Sequence, residues 1–120
     1  MSARPWPVDL EFQRAAAALN IHFDNGDRFS IPFELLRAES PSAEERGHGP
    51  QARLIGGKRR VGVNGAELVG RYAVRIRFDD GHDSGLFSWD YLHELGREAP
   101  ARMRAYEERL KQAGLSREAP

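Results

Sequence analysis

The sequence contains no cysteine among its 120 residues. Thiolate catalysis, disulfide bonds, and zinc or iron–sulfur sites ligated by cysteine are therefore excluded. Lysine plus arginine and aspartate plus glutamate both total 18, so no net charge concentrates nucleic acid or an anionic membrane around the molecule. No apolar run reaches the length of a membrane span, and no signal-peptide pattern follows Met1. These absences disfavour membrane and nucleic-acid partners and predict a soluble, cytoplasmic protein.

The length suits one domain with one modest hydrophobic core. We predict an arm over residues 1–7, where two prolines flank Trp6, a single domain over residues 8–114, and a C-terminal tail over residues 115–120. The segment from residue 38 to residue 58 is poor in apolar residues and rich in Ser, Pro, Gly and charge. It predicts a long loop, and loops of this length in compact domains are usually functional or mobile.

Alternating apolar and polar residues predict several β-strands. The clearest hairpin has apolar alternation on both sides of the turn signal Asn25-Gly26, and Pro32 should end its second strand because proline cannot donate a ladder hydrogen bond. Asn64-Gly65 indicates another turn. The best strand pattern has Val74, Ile76 and Phe78 on one face and Arg75 and Arg77 on the other.

Helical signals follow the last strand. Ser88 has the composition of an N-cap, Gly96 of a C-terminal stop, and Trp89 is expected to pack in the core. Apolar residues at three- and four-residue spacing between residues 99 and 110 predict a further, amphipathic helix. The predicted fold class is thus α+β: a small, mainly antiparallel sheet built from hairpins, a short helix after residue 88, and a C-terminal amphipathic helix.

The turn over residues 79–83 is the most suggestive candidate site. His82 stands there among Asp79, Asp80 and Asp83, and these carboxylates could orient an imidazole or supply oxygen ligands to a metal. Turns are also rich in Asp and Gly for purely conformational reasons. His48, His82, Asp80 and Asp83 therefore remain a weak alternative metal site, with no diagnostic ligand spacing.

Two segments carry a resemblance to a known family. The stretch Phe78-Asp79-Asp80-Gly81-His82-Asp83-Ser84-Gly85 leading to Trp89, and the segment from Phe33 through Leu36-Arg37 to Pro50, resemble the gamma-butyrobetaine hydroxylase-like N-terminal domain over about residues 8–96. Members of that family occur alone in bacteria or fused to other proteins. In the hydroxylases, chemistry belongs to a separate iron and 2-oxoglutarate domain, so the resemblance implies a stand-alone, non-catalytic domain without a cofactor.

The resemblance also implies a lost zinc site. Members that carry zinc use the histidine of the Asp-Gly-His turn and three cysteines from the preceding loop, and those cysteine positions fall here at Ser40, Ser42 and Glu45. Serine hydroxyls stay protonated at neutral pH and are poor zinc ligands. We therefore expect no metal at these degenerate positions, although His82 remains.

Local polar chemistry is expected to replace the metal. Ser42 and Glu45 have the spacing of a capping box, and the candidate binding residues are Arg37, Arg46, His48, His82, Asp80 and Asp83. We predict hydrogen bonds that join Arg37, Arg46, His48 and His82.

Two functional hypotheses follow. The first is a non-catalytic binding module with an unidentified protein partner. By analogy, its more specific form is an adaptor in iron–sulfur or metalloenzyme assembly, because some relatives are fused to proteins that carry or deliver such clusters. The second is a small-ligand or metal-binding protein, or an enzyme, that uses His82 with Asp80 and Asp83. Gly56-Gly57-Lys58 could cradle a phosphate, but it lacks the order of a P-loop. We assign no catalytic residue, and the oligomeric state is left open.

Overall fold

A computed structural model of the protein describes residues 4–41 and 54–118. Its strands, in chain order, are β1 (Pro7–Gln13), β2 (Ala18–Phe23), β3 (Arg28–Pro32), β4 (Val63–Val69), β5 (Ala73–Phe78) and β6 (Gly85–Ser88). Helix α1 (Phe33–Ala38) follows β3, and helix α2 (Trp89–Gln112) follows β6. The predicted α+β class is confirmed.

The strands form two sheets of three strands each, in the orders β1-β2-β3 and β4-β5-β6. Every pairing in these sheets is antiparallel. Each sheet is a meander, because short turns join consecutive strands and leave β1, β3, β4 and β6 at the edges. The apolar faces of both sheets and of the two helices meet in one core cluster, whose fully buried members include Leu19, Ile31, Leu36, Ile76 and Phe87.

The first hairpin agrees with the sequence prediction. Gly26 has a φ of 95°, a left-handed conformation that glycine adopts without steric cost, and β2 and β3 pair on either side of it. Strand β3 ends at Pro32 and α1 begins at Phe33. The alanine-rich stretch before β2 is a turn rather than a helix, with Ala17 at a φ of 53°.

The second turn signal was wrong. Asn64 and Gly65 lie inside β4, where the pairing with β5 shifts register between Val63 and Gly65. Such a shift is a β-bulge, and glycine in a strand is as typical of a bulge as of a turn. The turn between β4 and β5 instead uses Gly70, whose φ is 62°.

Helix α2 is continuous over 24 residues, so the predicted stop at Gly96 was wrong. Ser88 is the N-cap, as predicted, and its hydroxyl accepts a hydrogen bond from the Tyr91 N–H at 3.1 Å. Gly96 is instead required by close packing, because a Cβ at this position would lie 2.5 Å from the ring of Phe29 on β3. The missing side chain lets the helix approach the first sheet closely.

The residues after α2 fold back onto the domain. The Gly57 N–H donates to the Ser116 carbonyl at 2.7 Å, and the Arg59 N–H donates to the Arg117 carbonyl at 3.0 Å. The Arg117 guanidinium also forms two hydrogen bonds, of 2.8 and 3.0 Å, with the carboxylate of Glu34, which is 5% exposed. The segment predicted to be a tail is therefore fastened to α1 as far as Arg117.

None of the helices in the described ranges is both long enough and apolar enough to cross a membrane.

Candidate functional site

The turn that carries His82 connects β5 to β6. The Phe78 N–H donates to the His82 carbonyl at 2.9 Å, and Gly81 takes a φ of 93° at the tip. Within the turn, the Asp80 carboxylate accepts a hydrogen bond from the backbone N–H of His82 at 3.0 Å. This side-chain to backbone bond is the ordinary way in which aspartate stabilises a turn.

Two positively charged side chains from other parts of the chain also contact the Asp80 carboxylate. Arg37, near the end of α1, donates from Nε to Oδ2 at 2.8 Å, and Lys58 Nζ lies 2.7 Å from the same oxygen. The side chains of Arg37 and Asp80 are only 9% and 16% exposed. Solvent therefore screens this ion pair less than it screens a surface pair.

These contacts set the ionisation of Asp80. Burial alone would raise the pKa of this carboxyl group, but hydrogen bonds from Lys58, from the His82 N–H and from Arg37 outweigh burial and lower its pKa from 3.8 to about 2. Asp80 is thus a carboxylate at any physiological pH. It holds together three segments that are distant in sequence.

Ser40, which follows the end of α1, contacts the same turn. Its Oγ and His82 Nε2 are hydrogen-bonded at 3.0 Å, and Ser40 is buried. The close approach depends on Gly85 at the start of β6, because a Cβ there would lie 2.3 Å from Ser40 Oγ. The imidazole of His82 also packs on the ring of Phe78, with the centroids 6.0 Å apart.

Two residues of α2 position the chain around Ser40. The Tyr91 hydroxyl donates to the Glu39 carbonyl at 2.6 Å, and the Arg102 guanidinium lies 3.5 Å from the Glu39 carboxylate. Burial, together with the charge of Glu39, raises the pKa of Tyr91 to about 12. Tyr91 therefore stays protonated and remains a hydrogen-bond donor at physiological pH.

The structure brings together four of the residues singled out from the sequence: Arg37, Ser40, Asp80 and His82. Asp83 lies exposed on the same turn. The remaining candidates, Ser42, Glu45, Arg46 and His48, lie outside the described residues, as do the predicted capping box and the predicted bonds to Arg46 and His48.

Lys58 belongs to this group of contacting residues, although no sequence pattern pointed to it. The sequence of its segment suggested a phosphate cradle, but the Gly57 and Arg59 N–H groups donate to carbonyls of the C-terminal segment. Lys58 itself contacts Asp80. No spacing rule relates residue 58 to residue 80, so only the fold could reveal this pair.

Within residues 4–41 and 54–118, the donors around His82 do not fit a structural zinc ion. A zinc site of this kind needs thiolate or imidazole ligands, whereas the position next to His82 carries the hydroxyl of Ser40, which hydrogen-bonds directly to Nε2. Among residues 4–41 and 54–118, no three His, Asp or Glu side chains are grouped closely enough to hold a metal ion. The described part of the site is a hydrogen-bonded ion-pair network, which we call the Asp80 network (Arg37, Ser40, Lys58, Asp80 and His82).

The class of protein defined by this fold is a small α+β domain in which two β-meanders and a long helix enclose one core. The family model described as gamma-butyrobetaine hydroxylase-like, N-terminal, matches residues 10–93. The chain belongs to this family, as its two motif segments indicated. A search of curated proteins gave no match.

Solved structures agree with this assignment. Two proteins with NMR solution structures share 41% and 43% sequence identity with the chain, with TM-scores of 0.86 and 0.84. The first alignment covers 98% of this chain and 94% of the other, and the second covers 99% and 89%. A crystal structure of a protein of unknown function from Acidithiobacillus ferrooxidans, of the DUF971 family, aligns at 31% identity and a TM-score of 0.65, covering 75% of this chain and 91% of that one. The family has no known function.

Proposed function

We propose that this protein is a non-catalytic interaction module that binds another protein. The observation that carries this proposal is that the Asp80 carboxylate already has three partners inside the domain: Arg37, Lys58 and the His82 N–H. A general base works best with a pKa near the working pH, and the pKa of Asp80 is about 2. Its bonds serve to hold loop segments in place.

Exposed apolar side chains supply the surface that such a module needs. Leu68 on β4 is 71% exposed and Tyr72 in the following turn is 67% exposed. Trp6, at 42% exposed, contacts the Tyr72 ring with the centroids 5.8 Å apart. Aromatic residues are enriched in protein interfaces, and β4 is an edge strand that offers unpaired backbone groups beside them.

A more specific role is that of an adaptor in the assembly of iron–sulfur or other metalloenzymes. This part of the proposal rests on analogy with family members fused to proteins that carry or deliver such clusters. In this reading the protein holds a partner and takes no ligand of its own at the His82 turn. The proposed partner is a protein, and we propose that neither it nor the adaptor is embedded in a membrane.

The test is affinity capture from the native organism with the wild-type protein and His82→Ala, with metal analysis of both samples. We expect one defined protein to co-purify with each, to re-form a stoichiometric complex from purified components, and to do so without bound metal. Turnover or ligand-dependent melting that the wild type shows and His82→Ala loses would overturn the proposal in favour of a catalytic or ligand-binding site. Because His82 lies in the Asp80 network, the melting temperature of the variant must be measured alongside.

A further inference from the structure

We propose that Trp6, Tyr72 and Trp89, which we call the aromatic corner, bind an arginine side chain presented by the partner protein. This inference rests on the proposed function and names the chemistry of the partner. The three rings line a cavity of about 160 Å³. Trp6 stands nearly perpendicular to both neighbours, at 81° to Tyr72 and 67° to Trp89, with centroid distances of 5.8 and 6.4 Å.

Hydrogen bonds hold the Trp89 ring and the Trp6 backbone at the cavity. Trp89 is buried, and its indole Nε1 donates to the Arg71 carbonyl at 2.8 Å. The backbone of Trp6 is held on the β2–β3 turn by two bonds with Asp24, of 3.0 and 2.8 Å. Rings that are already in place cost little entropy on binding.

The charge at the rim selects a cation. Aromatic faces attract cations, and arginine stacks on them more readily than other side chains do. Asp90, in the first turn of α2, adds a carboxylate to the cavity lining. Its side chain is half exposed, so it is accessible to an incoming guanidinium.

The protein already places a guanidinium at this site. Arg4 lines the cavity, and its Nη1 lies 3.1 Å from Asp90 Oδ2, while its side chain is 82% exposed. An exposed pair of this kind contributes little stability, so a partner arginine can displace Arg4 from Asp90. Arg4 thus shows that a guanidinium can pair with Asp90 at this cavity. It also competes weakly with the arginine of the partner.

A titration with a short peptide tests the site directly. The probe is an acetylated, amidated Gly-Arg-Gly peptide, and its control has citrulline, the neutral isostere, in place of arginine. Binding is followed by the indole NMR resonances of Trp6 and Trp89. We expect weak binding of the arginine peptide, with a dissociation constant of roughly tens of millimolar, because one exposed cation–π contact and one charge pair together contribute at most about 2 kcal/mol. We expect no concentration-dependent shift with the citrulline peptide.

Four variants separate the contributions. Arg4→Gln removes the internal competitor and should tighten peptide binding by about twofold to fivefold. Asp90→Asn and Tyr72→Ala should weaken binding by about threefold to tenfold. Asp83→Asn, a matched change on the distant His82 turn, should leave it unchanged.

Equal shifts with the citrulline peptide, or arginine binding that is indifferent to Asp90→Asn, would overturn the proposal. The result is separable from the proposed function. Undiminished capture of a partner by the Tyr72→Ala protein would remove the aromatic corner from the interface and leave the interaction role standing. Failure to form any protein complex would refute the interaction role, even with the peptide site intact.

Discussion

Replacing Asp80 with asparagine tests whether the Asp80 network holds the domain together. The change keeps the size of the side chain and removes its charge, so Arg37 and Lys58 lose their shared partner. A carboxyl group whose pKa falls from 3.8 to about 2 on folding corresponds to about 2.5 kcal/mol at neutral pH. Because the ion pairs of Asp80 are partly exposed, solvent screening lowers this contribution to the free energy of unfolding to about 1–2 kcal/mol.

The remaining cost comes from Arg37, whose side chain is 9% exposed and would lose a charged partner. We therefore expect Asp80→Asn to lower the free energy of unfolding at pH 7 by about 2 kcal/mol, which is about 8 °C in melting temperature for a domain of this size. The assay is urea denaturation followed by tryptophan fluorescence. Asp83→Asn, the same substitution at an exposed position of the same turn, is the control and should change stability by less than about 0.5 kcal/mol.

The pH dependence has a definite sign. Because folding lowers the pKa of Asp80, its stabilisation is fully present above about pH 4 and is lost as the pH falls towards 2. The stability difference between the wild type and Asp80→Asn should therefore be constant from pH 7 to about pH 5 and shrink by pH 3. Equal stability of Asp80→Asn and Asp83→Asn at pH 7, or a difference that does not shrink at pH 3, would show that the Asp80 carboxylate does not stabilise the fold.

Substitutions at three further positions test a close contact, a helix cap and an ion pair, each by urea denaturation. Gly96→Ala should destabilise by about 1–2 kcal/mol, because a clash with Phe29 at 2.5 Å outweighs the gain of about 1 kcal/mol in helix propensity; a stabilised variant would contradict the close approach. Ser88→Ala should cost about 1 kcal/mol through loss of the α2 cap, and Ser88→Asp should retain stability. Arg117→Ala should cost about 2 kcal/mol, because Glu34 would be left buried without its charged partner; no change would mean that this segment is a loose tail.

The strands and caps could be predicted because their signals are local. The alternation in β5 and the Asn25-Gly26 turn depend only on neighbouring residues, and both were confirmed. Glycine was the ambiguous signal: Gly65 lies in a bulge and Gly96 in a helix interior. A glycine can mark a turn, a helix end or a close contact, and only its spatial neighbours decide which.

The candidate site was predictable in part for a related reason. His82 and Asp80 were singled out from the composition of their own turn, whereas Ser40 and Arg37 were linked to that turn because the family resemblance relates two distant segments. The structure places these four residues in contact. Lys58 and Gly85 follow from no motif. Lys58 reaches Asp80 through the path of the chain before β4, and Gly85 matters because its missing Cβ leaves space for Ser40 Oγ. The aromatic corner combines residues from the arm, a turn and α2.

Elemental analysis of the purified protein, after dialysis against zinc and then against metal-free buffer, tests most directly whether the His82 turn needs a metal. We infer that the Asp80 network, and no metal, holds the His82 turn in place. We therefore expect far less than one zinc per chain, with the same trace content in His82→Ala. One tightly held zinc per chain, lost in His82→Ala while the variant stays folded, would contradict it.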